Sequence, residues 1–144
     1  MNTCLGSPTV WSTVGQGRMR QMAKLNRDSA PVDFGPVEEW QLDVDGQNID
    51  FVNFKATVDA TPLLKGLPND QCQAPHWGYV IKGEVSYTIN GVEEIYREGD
   101  AFYVPAGHTS GATAGAEIVQ FSPSDLLHET EKAMQRNMEA MTRQ

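Results

Sequence analysis

A mostly-β domain, a barrel or sandwich closed by one C-terminal helix, is the fold this sequence predicts. Three observations carry that prediction. Short runs such as Glu84 to Ile89 alternate apolar and polar residues with a period of two, the pattern of a half-buried strand. Asn90-Gly91 stands between two such runs, and both residues suit the positive φ of a two-residue hairpin turn. After Phe121 the period changes, and Leu127, Met134, Met138 and Met141 recur at helical spacing.

The elements follow in chain order. Residues 1–27 hold Arg18, Arg20, Lys24 and Arg27 but no acid, whereas all 19 acidic residues come later. That break marks residues 1–35 as a disordered or extended N-terminal tail and linker, ending in the Pro/Gly stretch Pro31 to Pro36. An acid-free start containing Arg, Ser and Thr has the composition of an organelle transit peptide. The other reading is an over-extended start, with residues 1–21 foreign to the natural protein and Met22 or a neighbour its first residue. No apolar stretch has the form of a secretory h-region.

The barrel is expected over residues 36–121. Val37 to Leu42 form a short strand, and Asp45-Gly46 turns it. From Ile49 to Val58 the residues Val52, Phe54, Ala56 and Val58 alternate with Asn53, Lys55, Thr57 and Asp59, as in an antiparallel strand with one face buried. Thr61 to Asn69 read as a loop around Pro62, Gly66 and Pro68. Trp77 to Ile81 form a strand turned by Lys82-Gly83. Glu84 to Ile89 place Val85, Tyr87 and Ile89 on one face, and Val92 to Tyr96 return. Ala101 to Val104 make a strand that Pro105-Ala106-Gly107 ends, Gly111 to Gly115 read as flexible, and Glu117 to Phe121 form the last strand.

A helix is expected over residues 122–144. Ser122 has the place of an N-cap, Pro123 of the first helical position, and Asp125 lies three residues after the cap. Its Leu/Met stripe is suited to packing on the parent domain or on a twin subunit. Glu129, Glu131, Lys132 and Arg136 take the other faces.

The totals bound function. A chain of 144 residues is one domain with room for a core. Its net charge of −8 repels nucleic acid and anionic membrane alike. No apolar run approaches the roughly 20 residues that span a bilayer. Two cysteines, Cys4 in the tail and Cys72, are too few for a disulfide framework, which favours a reduced, cytoplasmic setting, with organelle targeting by the tail left open.

Candidate chemistry gathers between Asp70 and His108. Cys72 and His76 stand at the entrance of this stretch and His108 at its exit. A thiolate and two imidazoles that converge make a transition-metal site. On a straight strand Cys72 and His76 would lie about 13 Å apart, and Pro75 would interrupt a helix. A bend at Ala74-Pro75 is the arrangement that lets both bind one ion. Glu117, Asp70 and water are the candidates for a fourth ligand. Trp77, Tyr79, Tyr103 and Phe121 are read as barrel core or, alternatively, as lining an apolar pocket.

The run His76-Trp77-Gly78-Tyr79-Val80-Ile81-Lys82-Gly83, then Gly99-Asp100, then Pro105-Ala106-Gly107, resembles the two motifs of the cupin superfamily. The resemblance covers Ile49 to Phe121. It implies a small single-domain jelly-roll β-barrel, commonly dimeric, often holding one divalent metal at its mouth. Cupins usually supply His-x-His, a glutamate and a later histidine. Here His76 stands where the glutamate is expected, Cys72 near the second histidine, and Asp70 near the first. Ser110 holds the last histidine's place, with His108 two residues earlier. The chain thus resembles a variant branch with Cys-x3-His and Pro-x-Gly-His as its ligand-bearing segments.

Thiolate plus imidazoles favours zinc, with iron, nickel or copper also admitted. Three protein ligands leave a coordination position for water or substrate. Two function classes follow. One is a metalloenzyme acting on a small organic molecule as an oxygenase, isomerase or lyase. The other is a non-catalytic barrel that binds a metal or small ligand and senses or stabilises. A small molecule and a second copy of the chain are the expected partners.

Overall fold

The computed structural model describes residues 22–143, so the transit-peptide and over-extension readings of residues 1–21 lie outside the described residues. Among the described residues, ten strands form two antiparallel sheets, followed by one helix. The strands are β1 (Val32–Asp33), β2 (Val37–Val44), β3 (Gln47–Phe54), β4 (Val58–Asp59) and β5 (His76–Lys82). They continue with β6 (Glu84–Ile89), β7 (Val92–Arg97), β8 (Ala101–Val104), β9 (Thr109–Ala112) and β10 (Glu117–Pro123), and α1 spans Ser124–Thr142. The larger sheet has the order β1-β2-β3-β10-β5-β8, and the smaller β4-β9-β6-β7. β1 falls within the stretch expected to be linker and pairs with β2.

Between the sheets, period-two alternation does its expected work. Val52, Val80, Phe102, Val104 and Ile118 from the larger sheet meet Val85, Tyr87 and Ala112 from the smaller one, in a single buried cluster. Burial at about 25 cal/mol per Å² makes this cluster the main source of stability. The β6–β7 hairpin pairs Ile89 with Val92. Its turn residues Asn90 and Gly91 have φ of 52° and 78°, so both occupy the left-handed region that such a turn requires.

Several boundaries differ from the sequence reading. The strand expected over Ile49 to Val58 ends at Phe54, and Val58–Asp59 crosses to the other sheet to pair with β9. The loop 61–69 contains two short 3-10 turns, Thr61–Leu64 and Pro68–Asp70, and buries Leu63 and Leu64. Gly111, read as flexible, lies in β9 between β4 and β6. A Cβ there would sit 3.1 Å from the Val58 carbonyl and 3.3 Å from Ser86 Oγ, so the glycine serves a close approach and not a loose loop.

The outer face of the larger sheet corrects another expectation. Trp77, Tyr79, Tyr103 and Phe121 are neither core nor pocket lining; they are 41–52% exposed on that face. Their odd parity in β5, β8 and β10 sends them away from Val80, Val104 and Ile118. Part of the same face is covered by the segment before β1. Trp40 Nε1 donates to the Ser29 carbonyl, and the Arg27 guanidinium lies 5.2 Å from the Phe51 ring centroid.

Ser122 does not cap the helix. β10 continues through Pro123, and the helix begins at Ser124 with no side-chain cap. The buried helical residues are Ser124, Leu127, Thr130 and Ala133, with Met134 packed beside Leu127, whereas Met141 is exposed. Leu64, Cys72, Ala74 and Leu127 form a second buried cluster beneath the helix. Asn137 Nδ2 donates to the Leu63 and Lys65 carbonyls, and His128 Nε2 lies 2.6 Å from Asp43 Oδ2. No helix among the described residues is long and apolar enough to cross a membrane.

Candidate metal centre

Cys72 and His108 are set opposite one another by backbone pairing. The Cys72 amide donates to the His108 carbonyl at 2.8 Å, and the Gly107 amide donates to the Cys72 carbonyl at 2.7 Å. His76 opens β5 directly after the Ala74-Pro75 bend. Because the chain bends there, Cys72 Sγ and His76 Nε2 are 3.7 Å apart instead of the extended span. One donor atom from each of Cys72, His76 and His108 lies within 4.8 Å of the others. All three side chains are buried, His108 at 1% exposure. His108 reaches the group because the backbone pairing sets it opposite Cys72.

The hydrogen bonds assign the ring atoms. His108 Nδ1 is 2.9 Å from the Pro105 carbonyl, an acceptor only, so this nitrogen carries the proton and Nε2 keeps its lone pair. His76 Nδ1 is 2.7 Å from Ser122 Oγ, which leaves Nε2 to face Cys72. Thr130 Oγ1, from the helix, lies 3.4 Å from Cys72 Sγ, where its hydroxyl can donate to a thiolate. Each donor is thus held by a partner of its own, the arrangement that orients metal ligands.

Burial governs protonation. It pulls His76 down to about 3, with the neighbouring His108 adding to the effect. Burial also lowers His108, against the opposing pull of the Pro105 carbonyl. The Cys72 thiol is pushed up by burial, opposed by hydrogen bonding with Thr130 and the Ala74 backbone. Both imidazoles are therefore neutral at neutral pH, the ligating form. The donor set fits a tetrahedral zinc-type ion, since Zn–S near 2.3 Å and Zn–N near 2.05 Å place S and N about 3.6 Å apart.

The expected fourth ligands are elsewhere. Glu117 pairs with Arg27 at 2.7 Å, and exposed Asp70 accepts from the Gly66 amide. Neither belongs to the group. Instead the group lines a cavity of about 400 Å³ shared with Val52, Val85, Tyr87, Ser110, Ile118 and Gln120. Its wall is mostly apolar, with Tyr87, Ser110 and Gln120 as neutral polar groups.

Sequence reading passed over Ser122, Thr130, Gln120 and Asp50. A signal for three of them exists. Asp50 shares the inward parity of Val52 in β3, and Gln120 and Ser122 share that of Ile118 in β10. Polar residues on the core-facing side of a strand need buried partners or a ligand. Thr130 has no such signature, because only the docked helix brings it to Cys72.

Residues 71–115 match the cupin domain family. No curated protein matches the chain by sequence. Among solved structures it is similar to KdgF from Halomonas sp., at 18% identity and a TM-score of 0.54, covering 72% of this chain and 94% of that one. An RmlC-like cupin from Shewanella frigidimarina shows 21% identity and a TM-score of 0.51, covering 72% and 91%. The polyketide cyclase RemF from Streptomyces resistomycificus shows 15% identity and a TM-score of 0.51, covering 72% and 80%. At these identities the likeness concerns the fold. Together with the match over residues 71–115, it gives the chain a cupin-type jelly-roll fold.

Proposed function

We propose that Cys72, His76 and His108 hold one divalent transition metal, zinc before iron, nickel or copper, and that the chain is a metalloenzyme acting on a small organic molecule. The observation that carries this reading is the meeting of three buried donors, within 4.8 Å of one another, on the wall of a cavity large enough for such a molecule. Three protein ligands leave a coordination position open toward substrate. When bound, the metal supplies Lewis-acid polarisation of a carbonyl, an enediol or water, suited to an isomerase or lyase, or oxygen chemistry if it is iron. The chain's own contribution is to fix the imidazole tautomers through Ser122 and Pro105 and to orient the ligand through Tyr87, Ser110 and Gln120.

A second reading is a non-catalytic barrel that senses its ligand. It rests on Thr130, which links Cys72 to the terminal helix, so that filling the site is felt at the helix. The exposed aromatic face supports a homodimer as the assembly of this chain. Burying Trp77, Tyr79, Tyr103 and Phe121 against a second copy would remove a contiguous apolar patch from water. Sedimentation of the chain with Trp77→Ser and Tyr103→Ser together should then show a monomer.

The test of the metal reading is elemental analysis of protein purified without a chelating tag, followed by turnover and oxygen-uptake assays. About one transition metal per chain is expected, lost in Cys72→Ala and His76→Ala. Protein that takes up neither zinc nor ferrous iron at neutral pH would overturn it. Stoichiometric metal without turnover, but with altered proteolysis of the helix, would favour the sensing reading.

A further inference from the structure

The cavity carries a second cluster of donors. Glu39 on β2, Asp50 on β3 and Glu131 on α1 each bring a carboxylate oxygen within 4.8 Å of the others. On sequence Glu131 belonged to the helix's polar faces, yet here it turns toward the sheet. Gln41 Nε2 donates to Oε2 of both Glu39 and Glu131. His128 Nδ1 lies 2.8 Å from Glu131 Oε1. Among the described residues no lysine or arginine is paired with any of the three carboxylates.

Asp50 is the telling member. It is 1% exposed, and its Oδ1 has no hydrogen-bond partner. Oδ2 has only the Gln120 amide, at 3.4 Å. A buried carboxylate oxygen without a partner is unusual and needs an explanation. Burial, with Glu39 and Glu131 adding repulsion, also raises the Asp50 carboxyl, so a proton and a cation compete for this group. A cation among the three carboxylates gives the buried carboxylate a partner and offsets the crowding of the acids.

We infer that Glu39, Asp50 and Glu131 form a binding site for a hard divalent cation of calcium's size, distinct from the Cys72–His76–His108 group. An all-oxygen donor set selects hard cations over the softer metals that thiolate and imidazole attract. Calcium, with its flexible oxygen coordination, accommodates carboxylates brought together from three separate elements more readily than magnesium, which demands near-ideal octahedral geometry. Water from the cavity completes the coordination. Since Glu131 comes from the helix and the other two residues from the larger sheet, the ion ties α1 across the cavity.

The experiment is calorimetric titration of the full chain, stripped with chelator and dialysed, with calcium chloride, accompanied by thermal melting. One ion per chain and a calcium-dependent rise in Tm are expected. Glu131→Gln should weaken calcium binding at least tenfold, and Asp50→Asn should abolish it. Asp50 is deeply buried and its variant can fail to fold, so the half-buried Glu131, checked by circular dichroism, keeps the test decisive. Cys72→Ala should bind calcium as the wild type does, which separates this site from the transition-metal group. Absence of both heat and Tm shift at millimolar calcium would overturn the inference. So would a folded Glu131→Gln that binds calcium with wild-type affinity.

Discussion

Replacing Ser122 by alanine tests the transition-metal centre without touching a ligand. Ser122 is fully buried, and its Oγ lies 2.7 Å from His76 Nδ1. Zinc bound at His76 Nε2 requires the proton on Nδ1, so the serine oxygen accepts that proton and holds the ring. Alanine leaves a buried N–H without an acceptor, at a cost of about 1–3 kcal/mol. It also frees the ring to rotate or to change tautomer. Loss of such a partner lowers metal affinity about 10–100-fold, or about 1.4–2.7 kcal/mol, which agrees with the hydrogen-bond figure. The assay is competition for zinc against a chromophoric chelator at neutral pH, with circular dichroism to confirm folding. Ser122→Thr retains the hydroxyl and should bind closer to wild type than the alanine variant does. A folded Ser122→Ala that binds zinc as tightly as wild type would refute the assigned role of His76 Nε2.

Three further expectations follow from the same geometry. Both histidines are held neutral by burial while the Cys72 thiol is pushed up, so zinc binding should release about one proton, from Cys72, and affinity should fall about tenfold per pH unit on acidification; calorimetry in buffers of different ionisation enthalpy counts the protons, and two or more would mean a histidine starts charged. Burial, with Glu131 adding repulsion, raises Glu39 from 4.5 to about 8. The folded state then holds this proton more tightly than the unfolded one, so the associated stability is present below pH 4.5 and lost as pH rises toward 8. In chelator, Glu39→Gln should therefore melt higher than wild type at pH 8, with the gap closing toward pH 5; an unchanging gap would contradict the crowding of the three acids. Leu127→Ala, beneath the helix against Leu64, Cys72 and Ala74, should cost about 2–5 kcal/mol in urea unfolding, and a loss below about 1 kcal/mol would show that the helix docks by other contacts.

Strands and their turns were legible because they depend on local chemistry. Asn90-Gly91 demands a left-handed turn whatever surrounds it, and Val85 and Tyr87 alternate with Glu84 and Ser86 wherever the sheet lies. Pro75 likewise announces a bend between Cys72 and His76. The same local logic failed at Gly111, where a glycine that looked like slack is needed for two strands to approach a third. It failed again at Ser122, which has the credentials of a helix cap but is already engaged by His76.

By itself, then, the sequence determined the β-rich class, the hairpin and the terminal helix, and singled out Cys72, His76 and His108 as candidate donors, since each rests on residue type and short spacing. Tertiary structure alone decided which way the aromatic residues point, that Glu117 and Asp70 stay outside the site, and that Thr130 reaches Cys72. It also decided that Glu39, Asp50 and Glu131 meet, although β2, β3 and the helix bring them from distant parts of the chain. Contacts of that kind depend on sheet register and helix docking, and a one-residue shift in register would turn Asp50 and Gln120 from the cavity to solvent.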